Sequence, residues 1–430
     1  MKNLEFGRII VVGAVAGSVG AVALPASAAG FFLPYQGASS IGNALAGSAA
    51  LGEDASTVFF NPAAMARFET RQLTLAGHYV RPLPEFNNGG TALVTPGPTF
   101  PLTGNSGAGV DSFLPNLFAV VPLGKWSLGL GVSAPWGSKT EYDAAWAGRY
   151  ASISSEISSL NVNPSVSYRF NEQWSAGVGF SYQTFTAEFL RAQYLGGVPA
   201  AATDGRARIE GDGHGYGYNL GVLWEPNRQT RLGASFRSTI DHTLEGTQSV
   251  TTASGAAVPG ANGAVRADLT TPALAQLSAV HALDDRWTLL ADVMWTQWSK
   301  LQRIDIACDC GSTSRLVLEF KDTWRLAAGA NYRVNDAWLL RFGVAWDQAP
   351  VRNATLRTTN LPDSDRTWLS IGARWDIARA HRLDFAYVHV FIEDTTIDST
   401  AAVATGVSTN VRGAYTNAAD ILSVGYTFSF

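Results

Sequence analysis

The stretch LSVGYTFSF, residues 422–430, alternates without a break. Leu422, Val424, Tyr426, Phe428 and Phe430 fall on one side, and Ser423, Gly425, Thr427 and Ser429 on the other. Successive side chains of a strand point to opposite faces, so this is a strand with one apolar and one polar side. The same rhythm recurs upstream. Trp174, Ala176, Val178, Phe180 and Tyr182 alternate with Ser175, Gly177, Gly179 and Ser181. Trp338, Leu340, Phe342, Val344 and Trp346 alternate with Arg341, Gly343 and Asp347, and Leu383, Phe385 and Tyr387 with Arg382, Asp384 and Ala386.

Such a pattern also fits a half-buried sheet of a soluble sandwich. Three further features select a membrane barrel. Tryptophans bracket the apolar faces, Trp338 with Trp346 and Trp287 with Trp295, as indoles do at the two edges of a membrane band. The opposite faces carry Asp292, Arg325, Arg333, Arg341, Arg374, Asp376 and Asp384, which suit a polar lumen better than a dry core. Short connections alternate with long ones rich in Gly, Ser, Thr and Pro.

The short turns are 123–125, 171–173, 225–229, 284–285, 335–336 and 378–381. Each joins two strands, and one more strand at either end (71–83 and 419–430) brings the number to fourteen, with both ends on the short-turn, periplasmic side. An open sheet edge in hydrocarbon leaves each unpaired N–H and C=O at a cost of several kcal/mol, so first and last strand are expected to pair. The fold expected is all-β: a closed antiparallel transmembrane β-barrel of about fourteen strands spanning 71–430. Phe430, with Phe428 and Tyr426 on its face, resembles the C-terminal signature that the outer-membrane assembly machinery reads.

Composition agrees. Charged residues are 15% of the chain, against about 25% in ordinary globular proteins. A net charge of −4 argues against nucleic acid. At the N-terminus Lys2 and Arg8 precede the apolar run from Ile9 to Leu24, and Pro25 and Ala26-Ser27-Ala28 follow it. This reads as an export signal over 1–28, cleaved after Ala28, since the run contains Gly13, Gly17 and Gly20 and is shorter than the roughly 20 residues a spanning helix needs. Export and a lipid-facing barrel together place the protein in the outer membrane of a Gram-negative bacterium.

Residues 29–70 do not follow the strand rhythm. Phe31, Phe32 and Leu33 open the segment, small residues follow, and Asn61-Pro62 marks a helix start in which Asn caps free N–H groups and Pro sacrifices none. Because a barrel of this size leaves a hollow interior, the segment is expected to fold back as a plug. Ala29-Gly30-Phe31, Gly42-Asn43-Ala44, Ala46-Gly47, Glu53-Asp54-Ala55 and Asn61-Pro62-Ala63 resemble the plug of the FadL/TodX family of outer-membrane transporters of long-chain fatty acids and other hydrophobic compounds. Gly131-Val132-Ser133-Ala134-Pro135-Trp136-Gly137, Ala147-Gly148 and Phe430 extend the resemblance across the mature chain.

The resemblance implies a fourteen-stranded barrel with passive, plug-gated transport, a dry pocket near the plug N-terminus and a sideways exit through the wall. Leaving an apolar phase for water costs about 0.8 kcal/mol per CH₂, so a dry route has a physical purpose. Pro135 cannot donate a ladder hydrogen bond, and Gly131 and Gly137 weaken pairing, so Gly131, Pro135 and Gly137 are expected to kink the third strand. Ordinary strand-end punctuation is the bland alternative. Asn61, Pro62 and Ala63 carry over as the plug motif that couples binding to plug movement, and Phe31, Phe32 and Leu33 are the expected substrate contacts. Outer-membrane lipid, lipopolysaccharide and the assembly machinery, through Phe430, are the other expected partners.

One departure stands out. The loops at 191–206 and 247–263 hold almost no large apolar residue, which puts an acyl-chain landing groove in doubt and favours a smaller or aromatic solute as competitor. Lumen Arg and Asp side chains are expected to pair across the pore, with a carboxylate head group as the alternative. Glycine-dense 211–221 reads as closely packed or bulged strand. Cys308 and Cys310 close a small ring or stay reduced, without catalytic meaning either way. His78, His214, His242, His281, His381 and His389 form no metal spacing, and no Ser/His pattern marks a triad, so neither an enzyme nor a cofactor or metal is expected. An adhesive surface barrel and a general diffusion porin are the competing functions.

Overall fold

A computed structural model describes residues 30–430; the expected export signal lies outside them. The chain forms a single antiparallel sheet closed into a barrel of fourteen strands. They are β1 (Gln72–Pro82), β2 (Ser112–Leu123), β3 (Trp126–Ser133, resuming at Gly137–Glu141), β4 (Ser154–Arg169), β5 (Trp174–Gln193) and β6 (Gly205–Trp224). Next come β7 (Thr230–Arg237 and Ile240–Thr251), β8 (Gly263–Thr271 and Leu274–Ala282), β9 (Trp287–Thr296 and Arg303–Cys308) and β10 (Thr313–Val317 and Thr323–Arg333). The last four are β11 (Trp338–Asp347), β12 (Arg366–Ala378), β13 (His381–Ala404) and β14 (Val407–Ser429). Each expected short turn joins the two strands assigned to it. The barrel closes where β1 pairs with β14, from Gln72 opposite Ser429 to Pro82 opposite Ala419, so neither strand presents an open edge there.

Four of the six short turns share one device. Asn171, Asn227, Asp284 and Asn335 each accept hydrogen bonds through Oδ1 from the backbone N–H groups two and three residues on, at 2.8–2.9 Å. Asn and Asp are suited to this because their short side chains mimic a backbone turn. Trp174, Trp287 and Trp338 follow immediately and form an aromatic girdle with their cross-strand partners, Trp338 stacking on Trp375 at 5.5 Å. Between the girdles the outward residues are apolar and exposed, among them Leu128, Phe180, Val344, Ile371 and Val424.

Residues 30–68 lie inside the barrel. Their helices are short: α1 (Ala38–Ile41), α2 (Ser48–Leu51), α3 (Thr57–Phe60) and a 3₁₀ turn over Pro62–Arg67. No such helix is stable alone, and their burial against the wall supplies the stabilisation. The wall admits the plug backbone at glycines: a Cβ on Gly343 would lie 2.1 Å from the carbonyl carbon of Asn43, and one on Gly221 would lie 1.9 Å from Asn61 Oδ1. Lumen charges pair as expected, but with the plug as well as across the pore. Arg341 donates to Glu53 and to Asp384, each at 2.7 Å.

In β6 the glycine-dense run has its glycines inward, where β7 crosses closely. A Cβ on Gly213 or Gly215 would meet the carbonyl oxygens of Thr243 and Asp241 at 2.1 and 2.3 Å. Cys308 and Cys310 are joined in a disulfide at the outer tip between β9 and β10.

A candidate hydrophobic passage

The wall is interrupted at Ala134–Trp136, and Pro135 lies in the break. Below it β3 pairs with β2, from Leu123 opposite Trp126 up to Leu117 opposite Val132. Above it Gly137–Glu141 pairs with β4 alone, and Ser112–Asn116 of β2 runs on beside β1 without a β3 partner among the described residues. Residues of the plug complete this part of the wall. Phe32 forms a bridge with Trp136, Leu33 N–H donates to Pro135 O at 2.8 Å, and Gly137 N–H donates to Phe31 O at 2.9 Å. Asn116 Nδ2 reaches across to Tyr35 O at 2.7 Å. Of the three kink residues expected from sequence, Pro135 and Gly137 border the break. Gly131 does not: it is paired on both sides, to Phe118 and to Asn163.

Phe31, Phe32 and Leu33 are all buried at this break. Phe31 lies 5.6 Å from Trp136, 5.0 Å from Trp298 and 6.2 Å from Phe185, and Trp136 and Trp298 are 5.8 Å apart, in edge-on arrangements favourable for aromatic rings. The cluster separates two small cavities. The upper one, about 50 Å³, is lined by Ile157, Phe185, Phe189, Leu244 and Ile304, with Phe31 as its floor. The lower one, about 30 Å³, lies among Phe32, Leu45, Phe60, Leu274, Met294 and the arginines Arg237 and Arg325. Space of that size admits a water or two and no acyl chain.

The lower cavity combines grease with buried cations. Arg237 donates to Ser181 Oγ and Phe59 O, both at 3.1 Å, with its guanidinium 4.3 Å from the Phe59 ring centre. Arg325 donates to Ala44 O and lies over Trp368, while its Nε and Nη1 have no hydrogen-bond partner among the described residues. Asn61 ties the plug together. Its Oδ1 accepts from Ala63 N at 3.0 Å, as a helix cap should, and its Nδ2 donates to Ala49 O at 2.6 Å and to Val222 O of the wall at 3.1 Å. Pro62 and Ala63 are buried beside it, and Pro62 lines the lower cavity together with Phe32.

Two features of the site have only weak signals in the sequence. Trp298 belongs to a 3₁₀ turn interrupting β9, yet it shares parity with the inward Asp292 and Met294, and that parity marks it as a lumen residue. The upper apolar lining comes from strands rather than loops. Above the membrane band the faces exchange chemistry: Ile209, Leu244, Val265 and Ile304 point in, while Arg208, Glu245, Arg266 and Arg303 point out. The apolar surface that the loops at 191–206 and 247–263 lack is therefore present one level lower.

A plugged barrel with an apolar, aromatic-lined interior and an interrupted wall defines the class: an outer-membrane transport protein. The chain belongs to the family described as outer membrane protein transport protein (OMPP1/FadL/TodX), which it matches over residues 19–430. It is 28% identical to outer membrane protein P1 of Haemophilus influenzae, covering 85% of this chain and 86% of that one. It is 27% identical to the long-chain fatty acid transport protein of Escherichia coli K12, covering 87% and 91%. Among solved structures it is similar to a Pseudomonas aeruginosa FadL homologue, with a TM-score of 0.85 and 27% identity over 94% of this chain and 100% of that one. The fold also matches the Pseudomonas putida toluene transporter TodX, with a TM-score of 0.67 and 18% identity over 87% and 94% of the two chains.

Proposed function

We propose that the protein carries hydrophobic small molecules, long-chain fatty acids before aromatic hydrocarbons, across the lipopolysaccharide layer and releases them sideways into the membrane. The observation that carries this reading is the break in β3, which residues 31–36 of the plug fill in place of β2. Withdrawing that short segment would open the lower cavity to the lipid without expelling the plug body. Solute would collect on the upper apolar lining, pass the Phe31–Trp136–Trp298 cluster and leave beside Pro135. Asn61, Pro62 and Ala63 would hold the plug to β6 while its N-terminal segment moves.

Two observations order the substrates. Arg325 offers unpaired donors beside the apolar cavity, which matches a carboxylate head group and has no use for toluene. The strand-built lining above also answers the doubt raised by the polar loops. A general porin fits poorly with a lumen filled by residues 30–68. Phe430 would serve assembly, since its N–H donates to Arg71 O at 3.0 Å at the point where the barrel closes.

A cysteine pair tests the exit. Phe32 and Trp136 are bridge partners, a spacing that suits a disulfide. Oxidised F32C/W136C should take up labelled fatty acid far more slowly than its reduced form, with the barrel intact in both. Equal uptake by the two forms would remove this break from the route.

A further inference from the structure

The outer wall carries a second feature, which backs onto the lower lumen cavity and shares Leu220, Ser235, Phe236 and Gln276 with it. On the face of β6 to β10 that meets lipid lies an apolar groove of about 550 Å³. That is far larger than either lumen cavity and within the roughly 300–1,000 Å³ typical of small-molecule sites. Its origin is a run of small outward residues. Ala234 of β7 lies between Val222 and Leu277, and Ala275 of β8 lies between Phe236 and Trp295, so bulky side chains form the banks and two alanines the floor. Trp324, opposite Trp295, closes the upper end. At comparable positions on β11 and β12 the outward partners are all large: Val344 faces Leu369, and Phe342 faces Ile371.

We propose that this groove binds one acyl chain of an outer-membrane lipid as a defined site rather than as part of the general annulus. The groove is continuous with the lipid interface of the barrel, so hydrocarbon is what surrounds it. Its lining has no charged side chain; the hydrogen-bonding side chains are the indole N–H groups of Trp295 and Trp324 at the interface end, and Ser235 and Gln276 at the floor, where the Gln276 amide is bonded to Ser48 and Asp292 on the lumen side. In hydrocarbon there is no hydrophobic drive, and selection rests on packing: a trough left unfilled forfeits the dispersion contacts of its lining. A flexible, unbranched chain fills an elongated trough between rigid rings; the indole rims would meet the ester region of the same lipid.

The test uses full-length barrel in nanodiscs containing phosphatidylethanolamine with a photoreactive diazirine on one acyl chain, with labelled peptides mapped by mass spectrometry. Labelling of β7–β9 peptides around Phe236 and Trp295 should exceed that around Val344 and Ile371 at least fivefold. Ala275→Trp should abolish the excess while leaving labelling elsewhere unchanged, and Ala234→Leu should reduce it in part. Uniform labelling around the barrel would overturn the proposal. So would a dimer in native mass spectrometry whose cross-links run through Ala234 and Ala275, since a second copy would then occupy the groove.

Discussion

Gly30 donates its backbone N–H to Asp363 Oδ2 at 2.7 Å, joining the start of the described plug to the outer loop between β11 and β12. Arg366 also bonds Asp363, and Arg357 Nε donates to its backbone carbonyl at 3.0 Å, so the acceptor is itself held in place. The plug N-terminus is thus fixed at two points, by this loop and by the edges of the break in β3. Asp363→Ala should free residues 30–36 while leaving the barrel folded. Hydrogen bonds to charged groups contribute about 1.5–3 kcal/mol, so amide exchange over the segment should rise roughly 10- to 100-fold. Unchanged exchange would show that the loop does not hold it.

Glu53 anchors the plug body. Burial pushes its carboxyl up, but Arg341, Arg374 and Arg382 outweigh that and hold it well below the usual carboxylate range. A depressed value means that the anchoring is complete above the ordinary glutamate value of about 4.3 and is lost progressively as pH falls below it. The Glu53-dependent part of plug docking, read as the difference in protease accessibility of residues 37–60 between wild type and Glu53→Gln, should be constant from pH 8 to 5 and shrink only in stronger acid. Glu53→Gln should be weaker at neutral pH and show no such acid limb.

Gly343 faces the backbone of Asn43 at a distance no side chain tolerates. Gly343→Ala should cost about 1–3 kcal/mol, as overpacking does, and the loss should fall on plug docking rather than on the strand ladder. The expected signature is faster exchange at residues 41–48 with little change in barrel melting. Equal losses in both would place the strain in the wall.

Arg325→Met keeps the volume of the side chain and removes its donors. Affinity for a long-chain fatty acid should fall about tenfold or more, the worth of one charge-assisted hydrogen bond, while toluene binding stays within a factor of two. Titration calorimetry with both ligands separates the cases, and a parallel fall for toluene would assign Arg325 a packing role.

The barrel was legible because its signals are local. Alternation at 422–430 and 174–182, the Asn and Asp turns and the tryptophans that follow them act over a few residues, and lipid enforces them along every strand. What the sequence hid is set by distance and by solvent. Nothing near Asp363 announces Gly30, 333 positions away. The upper lining is hidden because β5 and β6, at 20 residues each, and their neighbours outrun the roughly 9–11 residues that cross a bilayer. Beyond the membrane, water lies outside the barrel and the inside becomes the apolar side. At the candidate site, Phe31, Phe32, Leu33, Pro135 and Gly137 were legible and converge at the break, whereas Trp298, Arg237 and Arg325 needed the assembled lumen to show their roles.

The pairing of Gln72 with Ser429 has a consequence for biogenesis. β1 finds its second neighbour only after nearly the whole chain has emerged, so the ring cannot be shut early. Residues 30–68, which precede β1, lie inside the ring that this pairing closes. Seam pairing and plug enclosure are thereby linked: the strand that completes the ring also completes the wall around residues 30–68.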